Sequence, residues 1–243
     1  MKTKKAGAEL SEAGRDLLKL HGDKRFSTVL ADPPWQFQNR TGKVAPEHRR
    51  LSRYGTMNLA EIMALPVEQI SDDTAHLYLW VPNALLPDGI KVLEAWGFTY
   101  KSNIVWHKIR KDGGSDGRGV GFYFRNVTEL VLFGVRGKNA RTLQPGRTQV
   151  KYLATRKREL SRKPDEFYDI VESCSPGPYL ELFARGPREN WSVWGNQSDD
   201  YEGQDGGDRL RGAPLQRTGL PEAQLVEDLR VAQRDGRAQP VQH

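Results

Sequence analysis

Four consecutive residues, Asp32-Pro33-Pro34-Trp35, stand directly after the short apolar run Ser27 to Ala31. One reading is a turn, because two prolines stop a strand and Asp is common before them. The other reading is chemical. An exocyclic amine on a nucleobase is a poor nucleophile, since its lone pair is delocalised into the ring. A carboxylate and a backbone carbonyl can each accept one of its hydrogens and draw the nitrogen towards a tetrahedral form. Asp32 carries such a carboxylate, and the Pro33 carbonyl is held rigid because residue 34 is also proline. Trp35 would stack on an extruded base, a contact worth about 1–3 kcal/mol. With a methyl donor in line with the lone pair, positioning would supply much of the rate. A large ring directly after a polar strand end weighs against a plain turn.

Something must hold that tetrapeptide at a strand end, and the surrounding sequence reads as alternating strands and helices. Strands are expected at Ser27 to Ala31, Ala75 to Val81, Thr99 to His107, Thr128 to Val135, Tyr179 to Ala184 and Trp191 to Trp194. Helical spacing covers Met57 to Ile70 and Leu85 to Trp96. A third helix starts at Pro164, which suits a first helical position, with Asp165 and Glu166 at the positive end of the dipole. Its stripe is Phe167, Ile170, Val171 and Cys174. A Gly-rich loop, Lys111 to Gly121, and a long polar stretch, Arg136 to Lys163, lie between elements. This alternation predicts a largely parallel sheet covered on both faces, with ligands outside the carboxyl ends of its strands. Asp32 and Arg185 follow two of those ends.

Length and charge narrow the function classes. With 243 residues and 37% hydrophobic content, the chain has room for one full-sized domain. The expected division is an extension over 1–24, a catalytic domain over 25–197 and a polar tail over 198–243, with an amphipathic segment at Leu220 to Gln233. No run of roughly 18 apolar residues suggests a membrane span, and Met1 to Glu9 lacks the apolar core of a signal peptide. The single cysteine, Cys174, makes neither an internal disulfide nor a zinc cluster. A metal-free cytoplasmic protein is expected. The tail carries nine acidic and six basic side chains, a net −3, which leaves +9 of the total +6 on residues 1–197. A body this basic attracts polyanions, although solubility alone would also account for it.

Beyond the tetrapeptide, four further blocks occur in order. They are Tyr54-Gly55-Thr56-Met57; Leu77-Tyr78-Leu79-Trp80-Val81; Lys163-Pro164-Asp165-Glu166 with Ser175-Pro176-Gly177; and Glu181-Leu182-Phe183-Ala184-Arg185 with Asn190-Trp191 and Gly195-Asn196-Gln197. Together with Asp32 to Trp35 they resemble the MT-A70 family of adenine-N6 methyltransferases, from about residue 26 to residue 197. The resemblance implies a Rossmann-like, doubly wound α/β fold in which the catalytic motif precedes the cofactor strand. It implies S-adenosyl-L-methionine as cofactor, held by Asp32, Lys163, Arg185, Asn196 and Gln197. Lys163 would pair with the methionine carboxylate, Arg185 with the carboxylate or ribose, and Asn196 and Gln197 with ribose hydroxyls. The chain departs from the common pattern in two places. It has no G-x-G-x-x-G loop, and the segment Arg185 to Asn190 is shorter than in the family's eukaryotic members.

Two basic stretches remain. Lys43, Arg49, Arg50 and Arg53 follow the tetrapeptide and could grip phosphates flanking a target base. From Leu130 to Arg158 there are eight Lys or Arg residues and no acidic one. The alternative reading is that both are solvated loops, against which the position of the first beside the tetrapeptide argues. The expected substrate is adenine in DNA, the chain being short and without zinc fingers. RNA adenine, cytosine N4 and a catalytically silent nucleic-acid-binding subunit are the alternatives.

Overall fold

The computed structural model describes residues 10–36, 57–116, 123–156 and 162–195. Among them, seven strands form one sheet. They are β1 (Phe26–Ala31), β2 (Ser71–Val81), β3 (Thr99–Ile109), β4 (Thr128–Arg136), β5 (Tyr152–Arg156), β6 (Tyr179–Leu182) and β7 (Trp191–Trp194), in spatial order β5-β3-β4-β2-β1-β6-β7. β1 pairs in parallel with β2 and β6, β6 with β7, and β3 with β5. β4 runs against both of its neighbours, β2 and β3. The sheet is therefore mixed. The segment between β3 and β4 carries no helical periodicity that could make a parallel crossover, so the chain returns antiparallel.

Both faces of the sheet are covered, which is why its central strands read as continuous apolar runs. In β2, Leu77, Leu79 and Val81 enter one core cluster, while Tyr78 and Trp80 enter the other. The first cluster packs under α1 (Glu12–His21), α2 (Leu59–Met63), α3 (Val67–Ile70) and α4 (Leu86–Ala95). The second packs under α5 (Glu166–Cys174), through Phe167, Tyr168, Ile170, Val171 and Cys174.

Several boundaries differ from the sequence expectations. α1 lies within the stretch read as an extension. Ser11 caps it by accepting from Gly14 N (3.1 Å), its Leu17 is fully buried, and Asp16 accepts from the Trp194 indole (3.0 Å). The helix expected over Met57 to Ile70 is two short ones, because Pro66 cannot continue the first. α5 starts at Glu166, two residues after Pro164. Asp165 makes no cap, since its carboxylate takes Arg188 (2.8 Å) and Arg162 (3.1 Å) instead. β5 was concealed in the basic stretch. It is an edge strand, flanked by Lys151 and ending in Arg156, with alternate residues exposed.

Trp96 closes α4 with its ring fully buried and its indole N–H donated to the Ile62 carbonyl (2.9 Å), which ties α2 to α4. Trp96→Ala is expected to lower unfolding free energy by about 3–5 kcal/mol, read as a shift of the urea midpoint. An unchanged midpoint would show that the ring is not part of the core.

Candidate active site

From β1 the chain continues to β2 on one side and later returns to β6 on the other. Where strand order reverses in this way, the connections diverge and leave a crevice outside the carboxyl ends. Asp32 stands there. It directly follows β1, and its N–H donates to the Leu182 carbonyl at the end of β6 (3.4 Å).

Strand parity decides which other side chains face the crevice. Leu30 belongs to the α5-side cluster, so Asp32, two residues on, projects to that side. Trp106 and Val131 belong to it too, which brings Lys108 at the end of β3 and Glu129 at the start of β4 to the same place. Glu181 alternates with Leu180 and Leu182, which face the other cluster, and so it joins them. Lys163, just before α5, reaches over this row. Its Nζ sits 4.5 Å above the Trp80 ring, 2.6 Å from Glu129 Oε2 and 3.4 Å from Asp32 Oδ1. Lys108 holds the other Glu129 oxygen.

The result is a charge-balanced cluster of two carboxylates and two ammonium groups, with side chains only 15–25% exposed. Removing one member of such a buried set costs on the order of 3–5 kcal/mol, because the partner is left unpaired. The sharing is unequal. Burial pushes Glu129 up, but two lysines outweigh it and bring its carboxyl down to about 2. Asp32 is left with the longer contact. Burial raises its pKa, and Lys163 and Arg185 only partly offset this, while Glu129 adds to the rise. For Lys163, burial is outweighed by Asp32 and Glu129 together, so the ammonium is held above its ordinary range.

A third carboxylate lies beside this cluster. Glu181 Oε1 accepts from the Tyr168 hydroxyl (2.8 Å). Burial raises Glu181 to about 7 against the pull of Tyr168, Arg188 and Arg185. The Arg188 guanidinium stacks 3.5 Å from the Tyr168 ring centre and pairs with Asp165. Arg185 draws down both Asp32 and Glu181, and so lies within electrostatic reach of both.

The structure thus brings together Asp32, Lys163 and Arg185. The Pro33 carbonyl accepts the Trp35 N–H (2.8 Å), a tight turn that leaves one lone pair for a further donor. Trp35 is a correction. It is 6% exposed, lies in the core cluster under α1 to α4, and donates its indole N–H to the Trp80 carbonyl (2.9 Å). Its face is packed inside the protein, so stacking on an extruded base does not fit this position.

Gly195 packs against the turn after β6, where a Cβ would fall 2.6 Å from the Ala184 backbone. Asn196 and Gln197, which follow it, lie outside the described residues, as do Lys43, Arg49, Arg50, Arg53 and the tail. In the longer basic stretch, Arg136 is engaged with Glu68 (3.4 Å), and Arg147 bonds Thr142 and Gln144 within its own turn. Among the described residues no group of three His, Cys, Asp or Glu side chains is placed to hold a metal ion, and no helix is long and apolar enough to cross a membrane. Sequence reasoning missed Glu129, Lys108 and Glu181. For Lys108 and Glu129 the available signal was a charge two residues along a strand from a buried side chain, Trp106 or Val131, and for Glu181 its alternation with the buried Leu180 and Leu182.

A family model described as MT-A70 matches residues 26–197, spanning the tetrapeptide, Lys163 and the β6 end. The chain belongs to the MT-A70 family. Its relatives include an N(6)-adenosine-methyltransferase MT-A70-like protein of Drosophila melanogaster, 33% identical over 72% of this chain and 27% of the relative. The human N(6)-adenosine-methyltransferase catalytic subunit METTL3 is 32% identical over 72% of this chain and 28% of its own length. The type II methyltransferase M.MunI of a Mycoplasma species is 28% identical over 73% of this chain and 79% of its own. This MT-A70 chain therefore spans about a quarter of the length of the eukaryotic relatives it matches.

The raised Glu181 carboxyl has a defined pH signature. Its folded pKa, about 7, lies above the ordinary 4.5, so between those values the unfolded chain has released a proton that the fold retains. Stability from this group is present below pH 4.5 and is lost as pH rises through about 7. Glu181→Gln should flatten that slope relative to wild type in urea titrations from pH 5 to 8. Parallel slopes would show that Glu181 is not perturbed.

Proposed function

We propose that the chain transfers a methyl group from S-adenosyl-L-methionine to adenine N6 in nucleic acid, with DNA the favoured polymer. The observation carrying this reading is Asp32 at the strand-order reversal, beside the Pro33 carbonyl and within 3.4 Å of Lys163. The fold is proposed to be the Rossmann-like methyltransferase type, with the motif strand β1 preceding the cofactor strand β6. The protein is proposed to act in the cytoplasm.

The donor set suits the cofactor. Lys163 offers a cation to an α-carboxylate, and Asp32 beside it offers an anion to an α-ammonium. Glu181 keeps acceptor capacity beyond its bond from Tyr168, suited to ribose hydroxyls, with Arg185 near it. Asn196 and Gln197 are proposed to complete that contact. When bound, the cofactor supplies an electrophilic methyl on a sulfonium.

Asp32 does the remaining work at the amine. Its Oδ1 is turned to Lys163, which leaves Oδ2 to accept one amine hydrogen while the Pro33 carbonyl accepts the other. After the new C–N bond forms, the amine carries a surplus proton. A carboxyl whose proton affinity burial has raised is a suited first acceptor for it. Pro34 fixes the carbonyl, Trp35 anchors the turn in the core, and Lys163 holds Asp32 in place. Lys43, Arg49, Arg50 and Arg53 are proposed to grip flanking phosphates.

The relative that supports DNA as the polymer is the Mycoplasma type II methyltransferase, 28% identical over 73% of this chain. The test is methyl transfer from labelled S-adenosyl-L-methionine to mixed-sequence DNA and RNA, followed by nucleoside analysis. Label in N6-methyldeoxyadenosine is expected. Label in the ribonucleoside would reassign the polymer, and label in N4-methylcytosine the base. No label from folded protein would leave a nucleic-acid-binding subunit. Asp32→Ala is expected to lose on the order of 100-fold or more in methyl transfer while binding oligonucleotide as wild type does. Retained activity would remove Asp32 from the chemistry.

A further inference from the structure

Tyr123 and Phe124 are consecutive in the chain and 92% and 89% exposed. Two adjacent large rings left in water forgo the burial that aromatic side chains ordinarily contribute, and contiguous exposed apolar surface marks a contact site. Their position is specific. The Val127 carbonyl accepts from Lys108 N (2.9 Å) at the end of β3. The Asn83 side chain, just past β2, donates to Asn126 Oδ1 (2.8 Å), to the Thr128 carbonyl (3.1 Å) and to Thr128 Oγ1 (3.0 Å). Residues 126–128 are thus fastened to the sheet at the end where Asp32 lies. Phe124 precedes Glu129 by five residues, so the chain keeps it within about 18 Å of the ion cluster.

Chemistry selects the occupant. The body of the chain carries +9 over residues 1–197, which favours a polyanion and disfavours a second copy of the same chain. A polyanion that also presents flat apolar faces is a nucleic acid with unstacked bases, and aromatic rings bind these in a sequence-tolerant way. Extruding a base for chemistry disturbs the stack beside it. Trp35, the ring of the tetrapeptide itself, is buried and takes no part.

We infer that Tyr123 and Phe124 form a stacking platform for unpaired nucleobases next to the one being methylated. This rests on nucleic acid being the substrate. The probe is a single-stranded DNA oligonucleotide with one target adenine and 2-aminopurine beside it. For Tyr123→Ala with Phe124→Ala, we expect at least about ten-fold weaker affinity by anisotropy, loss of 2-aminopurine quenching, and unchanged thermal midpoint and cofactor affinity. Tyr123→Phe with Phe124→Tyr should keep wild-type affinity and quenching. If wild type methylates the oligonucleotide and the double alanine variant binds it equally well with quenching intact, the platform is overturned alone. If the alanine variant loses only self-association in light scattering, the rings serve a second copy and the inference is likewise overturned. If wild type neither binds nor methylates any oligonucleotide, the reading of the substrate fails and the platform with it.

Discussion

A single ammonium group sits where most of the architecture meets. Lys163 bridges Asp32 at the end of β1 to Glu129 on β4 and lies over Trp80 of β2, so it ties three strands and the approach to α5 to one point. Its own burial would be unfavourable without both carboxylates, and Glu129 would be equally costly without its two lysines. Each group is tolerable only because the others are present. The strand order that brings β1, β2 and β4 side by side is therefore a condition for ionising the site at all.

Two carboxylates in this crevice behave oppositely because their surroundings differ. Glu129 has two cations and stays ionised far into acid. Glu181 has a phenol as its direct partner and cations further off, and burial prevails. Asp32 is paired but not fully compensated, and burial raises it as well. Opposite shifts within one crevice give a strong anion for anchoring and weaker acids for proton handling. Neighbouring groups alone produce that division, in a site built from ordinary Asp and Glu side chains.

Much of this fold was legible in the sequence, and the reason is burial. The central strands are covered on both faces, so they appear as unbroken apolar runs such as Ala75 to Val81 and Thr128 to Val135. β5 lies at an edge, is half in water, and its composition matches a solvated basic loop. The reversed direction of β4 was not legible, because strand composition carries no information on polarity. Asp32, Lys163 and Arg185 were visible as parts of ordered blocks. Glu129 and Lys108 were not, and Glu181 stood in a block without its role being visible, since what qualifies them is which face of a strand they share with residues some 30 to 150 positions away. The Trp35 reading erred for a related reason. A ring beside a chemical motif looks exposed in one dimension, and the bond to the Trp80 carbonyl that turns it inward exists only in three.

The balanced ion cluster has one more consequence. Opposite charges cancel within the crevice, while the excess positive charge belongs to the body around it. A small zwitterion entering there exchanges ion-pair partners and leaves the local charge count as it was. A polymer of phosphates responds instead to the outer field, which salt screens over about 10 Å at ordinary ionic strength. On the proposed function, the two ligands would be addressed by separate electrical channels. Ionic strength can govern the residence of the polymer and leave the small molecule in its seat.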